Sequence, residues 1–215
     1  MPMLSKDKIK KSVYAFVSSP VIRLYVSIFT GLVINIVYIG GNIHSAVIQK
    51  SFWSGAVTVY YLLFIVLRLY LLWSGGRSDY AVKRSCRTVG VLLLVLTAIA
   101  GVIIAYSVLN EKIVKYSGYV LIVFFVYAIY SLTISLLGMK RWLNDNKPLH
   151  FAARSVTFSA ALMSAFNLQY SLLTSLGLSD ATVKCANGIG GIVTFSIIAT
   201  LGIAIVLKSK AELGN

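Results

Sequence analysis

The residues of this chain whose chemistry is best suited to a ligand lie inside long apolar segments. They carry amide, hydroxyl, phenol and guanidinium groups, which form hydrogen bonds but are not acids or bases near neutral pH. The predicted ligand-binding residues are Asn35, Tyr38, Thr58, Tyr61, Arg68, Arg154, Ser164, Asn167 and Tyr170. Side chains of this kind indicate binding of a small molecule rather than catalysis.

Arg68 is the most unusual of these residues, because it lies within an apolar segment. We place it about five residues from the cytoplasmic end of that segment, or ~7 Å deep at the helical rise. In one interpretation the side chain extends to the lipid headgroups. In the other, its guanidinium lies at the inner mouth of a cavity and binds an anionic headgroup or substrate, together with Arg154.

The acidic residues are absent from the apolar segments. All of them fall in predicted loops or tails: Asp7, Asp79, Glu111, Asp145, Asp180 and Glu212. A salt bridge within the membrane therefore cannot explain Arg68. The lack of a buried carboxylate also argues against a proton-coupled carrier that titrates an acid and excludes an intramembrane aspartyl protease.

The other common catalytic and metal-binding residues are sparse. The two histidines, His44 and His150, are predicted on opposite sides of the membrane, and so are the two cysteines, Cys86 and Cys185. Neither pair can form a metal site, and the cysteines cannot form a disulfide with each other. We therefore expect no enzyme activity, no metal and no cofactor.

The neutral polar residues recur at helical spacing. In the first apolar segment Asn35, Tyr38 and other polar or small residues share one face, and Thr58, Tyr61 and Arg68 share a face of the second. The fifth segment is the most polar, and its polar residues occupy about half of a helical wheel at ~100° per residue. Two interpretations remain open. The polar groups either join the helices to one another or enclose a neutral polar cavity between the first, second and fifth segments.

The composition indicates that the helices carrying these polar faces belong to a membrane protein. Hydrophobic residues make up 58% of the 215 residues and charged residues only 12%, whereas soluble chains are about a quarter charged. The apolar segments are long enough to cross ~30 Å of hydrocarbon. They are expected to be helices there, because backbone polar groups in lipid must bond internally. The predicted spans are Val21–Gly41, Phe52–Trp73, Arg87–Val108, Gly118–Gly138, Ala152–Leu176 and Gly188–Leu207.

We therefore predict an all-α protein consisting of a single transmembrane domain. It comprises an N-terminal cytoplasmic or interfacial segment at 1–20, a six-helix bundle at 21–207 and a cytoplasmic tail at 208–215. Residues 9–17 are predicted to form a short interfacial helix. Gly188, Gly190 and Gly191 open the sixth span, where they indicate close helix packing or a flexible start.

The basic residues predict the orientation. All but four of the 20 lysines and arginines fall on one side, which we assign to the cytoplasm with both termini. The four others are Lys50, Lys112, Lys115 and Lys184. Anionic lipid at the cytoplasmic face is thus an expected partner, besides the bilayer itself. Basic residues that face anionic lipid account for the net charge of +14, so we expect no nucleic-acid binding.

The two halves of the chain carry a faint internal similarity. Phe52, Val57, Thr58 and Leu63 align with residues 151, 156, 157 and 162, which are also Phe, Val, Thr and Leu. Three spans followed by three spans would form an inverted repeat, an arrangement common in transporters.

Several short motifs resemble those of a known group of proteins. They are Leu-Tyr-Val-Ser at 24–27, Asn-Ile-Val-Tyr at 35–38, Ser-Phe-Trp at 51–53, Tyr-Tyr-Leu-Leu at 60–63, Tyr-Ser-Gly-Tyr at 116–119 and Ser-Ala-Phe-Asn-Leu-Gln at 164–169. Together they resemble uncharacterised small six-span membrane proteins of Gram-positive bacteria. The resemblance implies a multi-pass protein of the bacterial cytoplasmic membrane, and it implies no activity.

Three functions are compatible with these observations. The first is a small transporter, or the substrate-binding membrane subunit of one, whose polar cavity binds a small-molecule ligand. The second is an oligomeric channel, in which the polar faces line a pore between subunits. The third is a non-catalytic accessory or regulatory protein whose loops dock a cytoplasmic partner. We favour the first.

Overall fold

The computed structural model of the protein describes residues 20–48, 50–110, 118–143 and 148–211. These residues form six long α-helices, and no strand occurs among them. The helices are α1 Pro20–Ile48, α2 Phe52–Ser74, α3 Asp79–Asn110, α4 Gly118–Leu143, α5 Pro148–Ser175 and α6 Asp180–Ala211. The predicted all-α class is confirmed. The predicted interfacial helix at 9–17, Lys112 and Lys115 lie outside the described residues.

Each helix extends beyond its predicted span at one or both ends, and polar residues cap two of the helix N-termini. The Ser51 hydroxyl accepts a hydrogen bond from the Ser54 amide at 3.2 Å and caps α2. The Ser179 hydroxyl accepts one from the Thr182 amide at 3.3 Å before α6. Gly177, at φ +69°, lies in the turn after α5, a left-handed conformation that favours glycine. Helix α6 begins at Asp180, so Gly188, the predicted start of the sixth span, lies within the helix and not at its first turn.

Consecutive helices run in opposite directions. Each pair of helices below makes two contacts. From the first contact to the second, the residue number increases on one helix and decreases on the other, as it does in antiparallel helices. They are Gly31–Arg68 and Tyr38–Tyr61 between α1 and α2, Asn35–Tyr127 and His44–Tyr119 between α1 and α4, Trp53–Asn167 and Tyr61–Ala160 between α2 and α5, Gln169–Ala186 and Phe166–Phe195 between α5 and α6, and Gly90–Gly202 and Ile104–Gly191 between α3 and α6. The first residue of α1 and the last of α6 therefore lie at the same end of the bundle.

Helix α5 lies at the centre of the bundle. It packs against each of the five other helices, and none of its residues from Pro148 to Ser175 is exposed. A helix enclosed by protein does not need an apolar outer face, because its polar groups find partners on its neighbours. This position explains why the fifth predicted span is the most polar one.

The outer surface of the bundle is apolar. Large hydrophobic side chains are exposed along α1, α2, α3, α4 and α6, among them Phe29, Val66, Val102, Ile122 and Ile192. Four stretches within the helices are long and apolar enough to cross a membrane: Phe29–Ile48, Phe52–Ser74, Asp79–Ser107 and Asp180–Lys210. Helix α4 adds a shorter apolar stretch, Phe124–Leu137. Soluble proteins rarely expose an apolar surface of this extent, so the chain has the features of an integral membrane protein.

Helices α3 and α6 cross at two glycines. A Cβ at position 90 would lie 3.0 Å from the Gly202 carbonyl oxygen and 2.8 Å from a Val206 methyl group. A Cβ at position 202 would lie 2.9 Å from the Leu94 side chain. The two backbones approach closely because neither residue has a side chain, which is a common way of joining helices in membranes.

Candidate functional site

The amide of Asn167 joins three helices in the middle of the bundle. Its Oδ1 accepts a hydrogen bond from the Trp53 indole nitrogen of α2 at 2.8 Å. Its Nδ2 donates to the Tyr38 hydroxyl of α1 at 2.6 Å and to the Asn42 Oδ1, also of α1, at 3.3 Å. All four side chains are buried. Asn167 is thus the polar centre of an α1–α2–α5 junction.

Tyrosine rings surround this junction on the side away from Trp53. The Tyr38 ring stacks on Tyr127 of α4 with centroids 4.2 Å apart, and it contacts Tyr61 at 4.7 Å and Phe124 at 5.1 Å. Each of the two other phenols has its own acceptor. Tyr127 donates to the Asn35 Oδ1 at 3.0 Å, and Tyr61 donates to the Ala160 carbonyl oxygen of α5 at 2.9 Å. The cluster therefore connects four helices.

Arg68 lies beside this cluster and is buried rather than directed to the membrane surface. It is 3% exposed, and its guanidinium packs against the backbone of Gly31 on α1. A Cβ at position 31 would overlap Nη1 and lie 2.7 Å from Cζ. This burial against α1 favours the interpretation in which the guanidinium lies inside the bundle.

Donor groups without acceptors are concentrated at this α1–α2 contact. The Nε and Nη1 of Arg68 and the Nδ2 of Asn35 are buried and have no hydrogen-bond partner within the described part of the chain. Gly31 and Asn35 are four residues apart, about one turn on the same face of α1. Arg68 is also the one charged side chain that is buried among the described residues. A permanently charged group in this position is costly unless something pairs with it.

The remaining predicted site residues lie in the same bundle but have local partners. The hydroxyl of Thr58 donates to the Ser54 carbonyl oxygen at 2.9 Å, within its own helix. Ser164 and Ser131 of α4 are joined through their hydroxyls at 3.0 Å. The Tyr170 ring packs against Trp53 at 4.9 Å, and Arg154 is half-buried near the start of α5.

Trp53 and Tyr127 are not among the predicted ligand-binding residues, although both bond to residues that are. Tryptophans near span ends usually lie at the membrane interface, but Trp53 is buried at 1% exposure with its indole bonded to Asn167. Tyr127 donates a hydrogen bond to Asn35. A polar partner for a buried indole or phenol is expected in general, but its identity cannot be seen in the sequence.

Two open spaces of the bundle lie elsewhere. A groove of about 580 Å³ between α3 and α6 is lined by small and apolar residues that include Gly101, Gly188 and Phe195. Another, of about 480 Å³ between α2 and α3, is lined by residues such as Phe52, Val59 and Ile99. Both face outwards and are apolar, as surfaces covered by lipid tails would be. No cluster of metal-binding side chains occurs within the described ranges.

Comparison of the chain with known protein families, with curated proteins and with solved structures gave no match. The function is therefore argued from the geometry of the junction and of Arg68.

Proposed function

We propose that the protein is a six-span protein of the bacterial cytoplasmic membrane that binds a small polar molecule, as a small transporter or as the substrate-binding membrane subunit of one. The observation that carries the proposal is Arg68. It is a buried cation without a carboxylate partner in the described part of the chain, and such groups inside membranes mark substrate or ion pathways.

The length and direction of the helices support six spans. The shortest helix, α2, has 23 residues and is about 35 Å long at 1.5 Å per residue, which exceeds the ~30 Å hydrocarbon core. Helix α5 is less apolar than the others, but it is enclosed by them and does not require a lipid-compatible face. The alternating directions return the chain to the same side after each pair of helices.

The distribution of charge supports an orientation with both termini in the cytoplasm. The end of the bundle at which α1 begins carries the exposed or half-buried residues Arg77, Lys83, Arg84, Arg87, Lys208 and Lys210. The opposite end carries Lys50 and Lys184. At the basic end, the Arg77 guanidinium lies 3.5 Å from the ring centroid of the exposed Trp73, an arrangement suited to the headgroup layer.

The polar junction supports a ligand site between α1, α2 and α5. Asn35 and Asn167 are linked, because Tyr38 bonds to Asn167 and stacks on Tyr127, which bonds to Asn35. Arg68 packs against Gly31, about one turn from Asn35 on α1. The hydrogen bonds among these groups close the junction, so binding of a substrate would require α1 to move relative to α2 and α5. Alternating access by movement of helix groups is the usual mechanism of such proteins.

Screening with a ligand-induced stability shift tests this function. The purified chain, in neutral-lipid nanodiscs, would be heated with a panel of amino acids, sugars, vitamins and carboxylates, and any stabilising compound would be tested for uptake into proteoliposomes. A ligand that binds the folded protein but not the unfolded protein raises the unfolding temperature. Absence of stabilisation across the panel, or a ligand that binds but is neither taken up nor exchanged, would remove the transport proposal.

A further inference from the structure

We propose that Arg68 and Asn35 form a binding site for an oxyanion, either a carboxylate or a phosphate group, at the α1–α2 contact. This inference rests on the proposed ligand site and specifies the charge of its ligand. The ligand group would accept hydrogen bonds from Nε and Nη1 of Arg68 and from Nδ2 of Asn35, three nitrogen donors that are buried and have no hydrogen-bond partner among the described residues.

The chemical class of the ligand follows from the unpaired atoms of Arg68 and Asn35. All three are donors, so a ligand group without acceptor atoms would not satisfy them. Arginine stays protonated in proteins, so the site carries a full positive charge that no described carboxylate offsets. An oxyanion supplies both acceptor oxygens and the balancing charge, and hydrogen bonds to charged groups are about twice as strong as neutral ones.

The surroundings of the guanidinium favour the same ligand. The Tyr127 hydroxyl donates to the Asn35 Oδ1, which orients the amide so that its Nδ2 is free for the ligand. The absence of a side chain at Gly31 leaves the space in which the guanidinium lies.

Two sources can supply an oxyanion inside a membrane. One is a soluble anion, such as a small carboxylate or inorganic phosphate, and the other is the phosphate of a lipid headgroup drawn between α1 and α2. Both present the same group to Arg68. They differ in whether the bound anion exchanges with the aqueous phase or only with the bilayer.

The experiment uses the purified protein in a maltoside detergent, whose headgroup carries neither a phosphate nor a carboxylate. Thermal unfolding is measured with added inorganic phosphate or acetate, at an ionic strength matched with chloride, and again in mixed micelles that contain phosphatidylglycerol. We expect one of these oxyanions to raise the unfolding temperature and chloride not to. A rise with acetate or phosphate assigns a soluble anion, and a rise only with phosphatidylglycerol assigns a headgroup.

Three variants locate the anion. Arg68→Met removes the charge and is expected to weaken binding about ten- to a hundred-fold, the loss of a charge-assisted hydrogen bond. Asn35→Asp places a carboxylate of the chain beside the guanidinium and is expected to abolish binding while the protein stays folded. Gly31→Ala displaces the guanidinium and is expected to weaken binding. Its matched control on the same helix is Gly40→Ala, where a Cβ meets nothing within 4 Å.

Several outcomes would overturn the inference. They are a stabilisation by chloride equal to that by the oxyanions, oxyanion binding that is unchanged in both Arg68→Met and Asn35→Asp, or an Arg68→Met protein that is less stable than the wild type when no oxyanion is present. The inference and the proposed function can fail separately. Uptake of a neutral solute that Arg68→Met leaves unchanged would contradict the anion site alone. Anion binding at Arg68 without uptake or exchange would contradict transport alone.

Discussion

Replacing Asn167 with alanine should be among the most destabilising polar substitutions in this bundle. The amide makes one hydrogen bond to α2 and two to α1 from the central helix α5. Asn167→Ala removes all three at once. It also removes the acceptor that Asn167 provides for the indole nitrogen of Trp53, which is 1% exposed.

The magnitude follows from these contacts. Side-chain hydrogen bonds between helices in membranes average about 0.6 kcal/mol each, so three of them contribute roughly 2 kcal/mol. A buried donor left without a partner costs about 1–3 kcal/mol, but part of this cost is already included in the measured average. We therefore expect Asn167→Ala to lower the free energy of unfolding by about 2–4 kcal/mol.

The assay is reversible unfolding in mixed micelles, followed by circular dichroism as the denaturing detergent is increased. Ser171→Ala is the matched control. Its hydroxyl is equally buried and one turn away on α5, but it bonds only to the Asn167 carbonyl oxygen of its own helix, at 2.8 Å. We expect this control to lose less than about 1 kcal/mol.

A double-mutant cycle gives the result that would refute the reasoning. Trp53→Phe removes the indole donor, and its effect should not add to that of Asn167→Ala, because both remove the same bond. If the two effects add within error, or if Asn167→Ala costs no more than Ser171→Ala, then the amide does not join the helices in the way that the structure indicates.

Two further predictions concern the packing of α3 against α6 and the orientation in the membrane. Gly90→Ala should destabilise the protein by about 1–3 kcal/mol through overpacking, whereas Gly101→Ala on the same helix, which meets nothing within 4 Å, should be neutral or stabilising by up to about 1 kcal/mol. Equal effects in thermal unfolding would show that the helices do not cross at Gly90. Cys185 is exposed and Cys86 is buried, so a membrane-impermeant maleimide should label Cys185 from outside intact cells and leave Cys86 unmodified until the protein unfolds. Labelling of Cys185 only from the cytoplasmic side would reverse the proposed orientation.

Helical periodicity predicted correctly which polar side chains face the interior. Asn35 and Tyr38 on α1, and Thr58, Tyr61 and Arg68 on α2, are all buried in the bundle. The prediction succeeded because residues three or four positions apart lie on the same side of any helix, whatever the helix packs against. The periodicity could not distinguish a cavity from a set of hydrogen bonds, since both need the same polar face.

Helical periodicity could not predict which end of a helix is covered by its neighbours in the bundle. Trp53 and Trp73 occupy similar places at the two ends of α2, where tryptophans usually lie at the membrane interface. The structure buries Trp53 against α5 and leaves Trp73 exposed beside Arg77. The difference depends on which neighbouring helix covers each end of α2, and nothing within α2 itself encodes it.

The sequence alone determined that the chain is helical and apolar enough for a membrane, because helical hydrogen bonding, the length needed to cross lipid and the preference of basic residues for one side are properties of single segments. Only the tertiary structure decided that α5 is the central helix and that Asn167 bonds to Trp53, 114 positions away. It also decided that the Arg68 guanidinium lies against Gly31. These are contacts between distant segments, and they depend on how complementary surfaces fit when the helices pack together.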